Sequence, residues 1–239
     1  MKTFILATAL LTLATFGYAQ TTIKPGDKII RYDWIQAGHD FYRNVITDTA
    51  GNVKYDYVLD DYITINPANK QITFARYRQV PAGNFATDTS VTDQFLKPVR
   101  MHEIFYQRNT TVDMQFSDTQ ASVKTVKKGV ESNKTYPMKA GYFEDNMIEY
   151  IFGYLELKKG VTYTLDNFNK DTPAPSDPFI IEYAFDDVLD LAAGQKLGCS
   201  VLRFIHGQTS GYTWIDNSSH KAIKTVASFK GGRYVLTKV

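Results

Sequence analysis

From residue 30 onward, apolar and polar side chains alternate in short runs along much of the chain. Val53, Tyr55, Tyr57 and Leu59 share one parity, with Lys54 and Asp56 on the other. The same period of two recurs at Val112, Met114 and Phe116, at Val161, Tyr163 and Leu165, and at Phe179, Ile181, Tyr183 and Phe185. Ile30, Tyr32 and Trp34 form a further run against Arg31 and Asp33. Successive side chains of a strand point to opposite faces, so this pattern predicts strands with one buried and one wetter side.

Residues tolerant of turn dihedrals separate these runs, at 48–52 and again at 66–69. His39 beside Asp40 reads as a turn between two strands. Gly231-Gly232, between Phe229 and Tyr234, reads as a two-residue hairpin loop. Short connections imply antiparallel neighbours, and so a meander.

One stretch changes period. Phe143, Met147, Ile148, Ile151, Phe152 and Leu155 are spaced by three to four, which predicts a helix near 146–157. Asn146 with Glu149 resembles a capping box, and Lys158, Lys159 and Gly160 suit its end. The proline-rich segment 169–178 reads as a long loop within one domain, because the β pattern resumes after it.

The N-terminus departs from all of this. Met1-Lys2-Thr3, an apolar run from Phe4 to Phe16 and small residues at Gly17 and Ala19 have the three-part form of a cleavable export signal. The run is shorter than the roughly 20 residues of a bilayer span. The expected organisation is therefore a signal peptide over 1–19 and a single β-rich domain over 20–239, periplasmic or secreted. No later segment is apolar enough to be a transmembrane span. No cysteine follows the cleavage site, so a lipid anchor is not indicated.

Lys+Arg 27 against Asp+Glu 25 leaves the chain near neutrality, without the basic footprint of a nucleic-acid partner. Cys199 stands alone, so no internal disulfide is available, and a buried, inert thiol is the expectation. Tyr 16 and Phe 15 suit a half-buried pleated surface.

Known catalytic patterns are missing. His39, His102, His206 and His220 are not paired at metal-ligand spacing, and neither a nucleophile elbow nor a phosphate-binding glycine loop occurs. No cofactor, metal or catalytic residue is expected. Asp56, Asp60 and Asp61, and likewise Asp186, Asp187 and Asp190, are carboxylate clusters that a glycan hydrolase could use only if folding set two of them across a cleft.

Tyr212-Thr213-Trp214-Ile215-Asp216, a polar turn over 217–220 and a return strand at Ala222–Val226 resemble the late hairpin of exported bacterial domains of unknown function. Those domains are similar to the periplasmic lipoprotein carriers. The resemblance implies a mainly β fold: a curved antiparallel meander sheet, an unclosed half-barrel with one covering helix, and a lipid or lipoprotein as the possible partner. A strongly bent sheet has an inner face that its own side chains do not fill. Trp34, Tyr57, Phe152 and Trp214 are the expected lining of that space. The expected function is a non-enzymatic protein sheltering an apolar, lipid-like ligand between sheet and helix. Its alternatives are a cell-envelope interaction or structural module binding another protein, and the glycan hydrolase.

Overall fold

The computed structural model describes residues 20–138, 141–171, 177–190 and 194–239. The expected signal peptide and part of the proline-rich loop lie outside these residues. The alternating runs become strands. In chain order they are β1 (Gln20–Ile23), β2 (Gly38–Asp48), β3 (Val53–Asn66), β4 (Gln71–Val80), β5 (Gly83–Asp93), β6 (Pro98–Phe105), β7 (Thr110–Phe116), β8 (Gln120–Lys127) and β9 (Val130–Pro137). There follow the two-residue β10 (Phe143–Glu144), helix α1 (Ile148–Phe152), β11 (Thr162–Leu165) and the two-residue β12 (Asn167–Phe168). The last strands are β13 (Phe179–Asp190), β14 (Lys196–His206), β15 (Thr209–Asp216), β16 (Ala222–Phe229) and β17 (Gly232–Lys238).

Fifteen of these strands form one sheet, which does not close on itself. Strands β2 to β9 follow one another as a meander, and so do β13 to β17. The two meanders meet where β17 pairs antiparallel with β2, from Gly232 opposite Asp48 to Lys238 opposite Tyr42. At the far side β11 pairs with β13, and β1 adds to β11 in parallel. Strands β10 and β12 form a small parallel pair apart from the sheet. The result is a curved, mainly antiparallel half-barrel whose inner face holds the core.

The main core lies between that inner face and the segment around α1. Phe143, Met147, Ile148, Ile151 and Phe152 pack against Ile63, Phe74, Leu202, Phe204 and Ile215. A second cluster, built on Met101, Val112, Met114, Val123 and Phe168, covers the inner face of β6, β7 and β8. At about 25 cal/mol per Å² of apolar area withdrawn from water, these two clusters are the main favourable term.

The helix is shorter than its apolar spacing predicts. It ends at Phe152, and a single 3-10 turn at Asp145–Met147 leads into it. Beyond it, Leu155 forms an antiparallel bridge with Ile30. Tyr154 O accepts from Arg31 N at 2.8 Å and Ile29 O from Glu156 N at 2.9 Å. Backbone pairing with the 29–31 segment therefore takes the groups that further helix would need. Leu155 is buried all the same, which is why its position fitted the helical face. Glu144, not Asn146, caps the turn: its carboxylate accepts from Asn146 N at 3.0 Å.

Three local readings are corrected in the same way. Tyr32–Trp34 is a 3-10 turn and not part of a strand. His39 and Asp40 sit inside β2. The last hairpin turns at Lys230-Gly231, one residue earlier than expected, because Phe229 pairs with Gly232. Gly232 has φ +152, and a Cβ there would lie 1.8 Å from Thr47 O, so the seam between β17 and β2 demands glycine.

Candidate functional site

The cross-strand register sets a row of charges across the inner face. Asp40 on β2 stands opposite Asp61 on β3, and Asp61 opposite Arg76 on β4. Arg76 in turn stands opposite Asp88 on β5, and Asp88 opposite Glu103 on β6. Directly opposed residues share a face, so all five point inward. Burying such groups is costly unless each finds a partner.

Most do. Arg76 grips Asp61 with two bonds of 2.9 and 2.8 Å and reaches Glu149 of α1 at 2.7 Å, tying helix to sheet. Lys221 and Lys238 lie 2.5 and 2.6 Å from Asp40. Arg78 lies 2.6 Å from Asp88, and Lys170 lies 3.2 Å from Glu103. The fit is poorer at this end of the row: neither oxygen of Asp88, nor Oε2 of Glu103, completes a well-aligned hydrogen bond.

Beside that end a cavity of about 540 Å³ opens between the sheet and the β10–β12 pair. Its walls are Tyr55, Tyr57, Phe85, Phe105 and Phe168 with Ile46, Val80, Met101 and Met114. Its floor carries Arg78, Glu103, Glu144, Asp145 and Lys170. A neighbouring space of about 340 Å³ shares Ile46, Tyr57, Arg78, Asp145 and Asn146 with it and continues past Phe152, Phe204 and Tyr234. The two form one trough along the inner face.

The floor carboxyls are held toward their neutral forms. Burial pushes Glu144 up to about 8, even though Ser90 Oγ donates to it at 2.5 Å and Asn146 N at 3.0 Å. Glu103 is pushed up to about 7, chiefly by burial and further by Asp88, against the opposing pull of Lys170. Burial also raises Asp145, although the side-chain amides of Asn167 and Asn169 donate to it at 2.5 and 2.9 Å.

The four expected lining residues are placed unevenly. Tyr57 lines both parts of the trough, and Phe152 lines its second part. Trp34 borders a separate space of about 180 Å³ on the other side of α1, again with Phe152, and its ring stacks on His220 at 3.6 Å. Trp214 alternates with the inward Thr213 and Ile215 and so faces outward, where Nε1 donates to Asp187 at 2.8 Å and Lys224 lies 5.0 Å from its ring.

The two carboxylate clusters are dispersed. Asp56 pairs with Arg43, Asp60 with His39, Asp61 with Arg76 and Asp187 with Trp214. Of the other histidines, His102 contacts Asp113 at 2.6 Å and His206 stacks on Phe179 at 3.9 Å. Cys199 is buried in β14, and burial raises its thiol to about 11. Among the described residues no helix is long and apolar enough to cross a membrane.

The floor residues were missed by sequence reasoning, yet a signal existed. Ile72, Phe74, Arg76, Arg78 and Val80 share one parity in β4, as do Met101, Glu103 and Phe105 in β6. Charges in phase with an apolar stripe mark polar groups carried into the interior.

No curated protein matches this chain. Among solved structures, the β-barrel-like protein of a domain of unknown function, DUF1849, from Brucella abortus is similar over 88% of this chain and 97% of that one, at 10% identity and a TM-score of 0.54. The hypothetical lipoprotein YmcC from Escherichia coli (K12) matches over 86% of this chain and 89% of that one, at 10% identity and a TM-score of 0.28. The first likeness extends to the fold alone. A family model described as a protein of unknown function, DUF3108, matches residues 31–237, and the chain belongs to that family.

Proposed function

We propose that the chain is an exported, non-catalytic binding protein that shelters an apolar, lipid-like molecule in the inner-face trough. The observation that carries this reading is the cavity of about 540 Å³, walled by aromatic and aliphatic side chains. Its size falls in the range of ligand sites, about 300–1,000 Å³. Burying methylene groups there would supply affinity at about 0.8 kcal/mol each. The leader at 1–19 would direct the protein out of the cytoplasm, to the periplasm or beyond, with 20–239 as the mature domain.

Titration of the protein, stripped of bound lipid by unfolding and refolding, with an environment-sensitive fluorescent apolar probe tests the reading. Saturable one-to-one binding is expected, weakened at least about tenfold, or 1.4 kcal/mol, by Met114→Trp, which fills the space. A probe that does not bind, or binds the filled variant equally well, refutes it.

The hydrolase alternative is supported less well. A glycosidase needs one ionised carboxylate beside one protonated acid, whereas burial pushes Glu103 and Glu144 in the same direction. The interaction-module alternative draws on an outer patch where Phe41 and Tyr62 are exposed beside His39. Capture of an envelope partner that Phe41→Ser abolishes, by a protein without probe binding, would favour that alternative.

A further inference from the structure

The floor of the trough gathers buried acids. The charged residues that line the cavity are the acids Glu103, Glu144, Asp145 and Asp171 and the cations Arg78, Arg108 and Lys170, with Asp88 standing beside Glu103 in the register. Two of these cations are already committed: Arg78 lies 2.6 Å from Asp88, and Lys170 lies 3.2 Å from Glu103 and 3.0 Å from Asp171. Arg108, exposed and with its guanidinium 5.5 Å from the Phe105 ring, lines the cavity as well. Glu103 is 4% and Glu144 2% exposed, so solvent does little to stabilise their ionised forms. Glu103 is among the lining residues, and its Oε2, a buried oxygen, has Lys170 Nζ at 3.2 Å as its ion-pair partner.

Around these acids stand rings. Tyr57, Phe85 and Phe105 border the same cavity, and Tyr57 and Phe85 meet edge to face at 5.0 Å. Aromatic faces attract cations through their quadrupole, and buried carboxylates do so more strongly. An anionic group seated on Glu103 and Glu144 would meet those acids, and among the described lining cations only Arg108 stands outside an ion pair to receive it.

We propose that the molecule held in this trough is an amphiphile with a positively charged amine end, seated against Glu103 and Glu144, its apolar remainder lying along Phe85, Phe105 and Met114. This rests on the reading of the trough as a site for a lipid-like ligand and adds the chemistry of the ligand's polar end. An amine placed there donates its N–H groups to the carboxylates and draws both acids into their ionised forms. The upward shifts of Glu103 and Glu144 describe the same acids before such a partner arrives.

The test is competition, near neutral pH and below micelle formation, between the fluorescent apolar probe and three twelve-carbon amphiphiles. These are dodecylamine, dodecyl maltoside and dodecanoate. A charge-assisted hydrogen bond contributes about 1.5–3 kcal/mol, so dodecylamine is expected to bind at least about tenfold more tightly than dodecanoate. Glu103→Gln and Glu144→Gln should each lower dodecylamine affinity by about tenfold on the same basis, leaving dodecyl maltoside unchanged. The maltoside doubles as the control that each variant is folded. Dodecanoate binding as well as dodecylamine, or amine selectivity surviving both substitutions, overturns this proposal and leaves the apolar-ligand reading standing. If the probe does not bind at all, that reading fails and the proposal fails with it.

Discussion

Replacing Arg76 by Met should show how much of the fold depends on the charged row. Arg76 is 13% and Asp61 3% exposed at their side chains, so the substitution strands a buried carboxylate with its bidentate partner gone. Breaking a buried pair from one side costs about 3–5 kcal/mol. Against a total stability of about 5–15 kcal/mol, that is a large share. At about 2–4 °C per kcal/mol for a chain of this size, the thermal midpoint should fall by about 6–20 °C. Glu149 is the internal contrast. Its side chain is 36% exposed, so Glu149→Gln removes only a partly screened contact and should cost no more than about 1 kcal/mol. Removing both members of the buried pair, as Arg76→Met with Asp61→Leu, should restore most of the loss, because the buried carboxylate goes with its partner and only the partly exposed Glu149 loses a contact. Urea unfolding with coincident fluorescence and circular dichroism measures all three. The reasoning is refuted if Arg76→Met costs less than about 1 kcal/mol, or if the double variant is no more stable than the single one.

Other outcomes follow from the same structure. Glu144 has an ordinary value of 4.5 and sits at about 8 in the folded chain, so the folded state binds the proton more tightly. Stability should therefore fall as pH rises from 4.5 to about 8, and Glu144→Gln should flatten that slope in urea midpoints measured across the range. A slope unchanged in the variant would assign it to other groups. Gly232→Ala should destabilise by at least about 1–3 kcal/mol, because the new Cβ meets the Thr47 carbonyl; an unaltered melting temperature would contradict the backbone geometry. Cys199, buried and raised to about 11, should react with an aromatic disulfide reagent only as fast as the chain unfolds, and rapid labelling of the native protein would contradict its burial.

The strands were legible because a half-buried sheet writes its two faces into alternate residues, as Val112, Met114 and Phe116 do in β7. Ile30, Tyr32 and Trp34 carry the same alternation without forming a strand. What decides there is distant pairing, Ile30 with Leu155, which no local window contains. The same bridge explains why the helix stops after Phe152. Tyr57 lies in phase with Leu59, a buried inner residue, and so faces the trough. Trp214 takes its outward direction from parity with Thr213 and Ile215, which its aromatic character alone does not reveal. The charged floor needed register: nothing in β5 or β6 alone says that Asp88 will stand beside Glu103.

The β17–β2 junction makes the sheet a seam between two separately wound halves. Residues 38–137 can zip by adjacent hairpins, and so can 179–238, but the halves unite only when the final strand arrives. The sheet is therefore complete only once β17 is in place, and loss of Gly232–Lys238 would leave two raw edges facing each other, open to a copy of the same molecule.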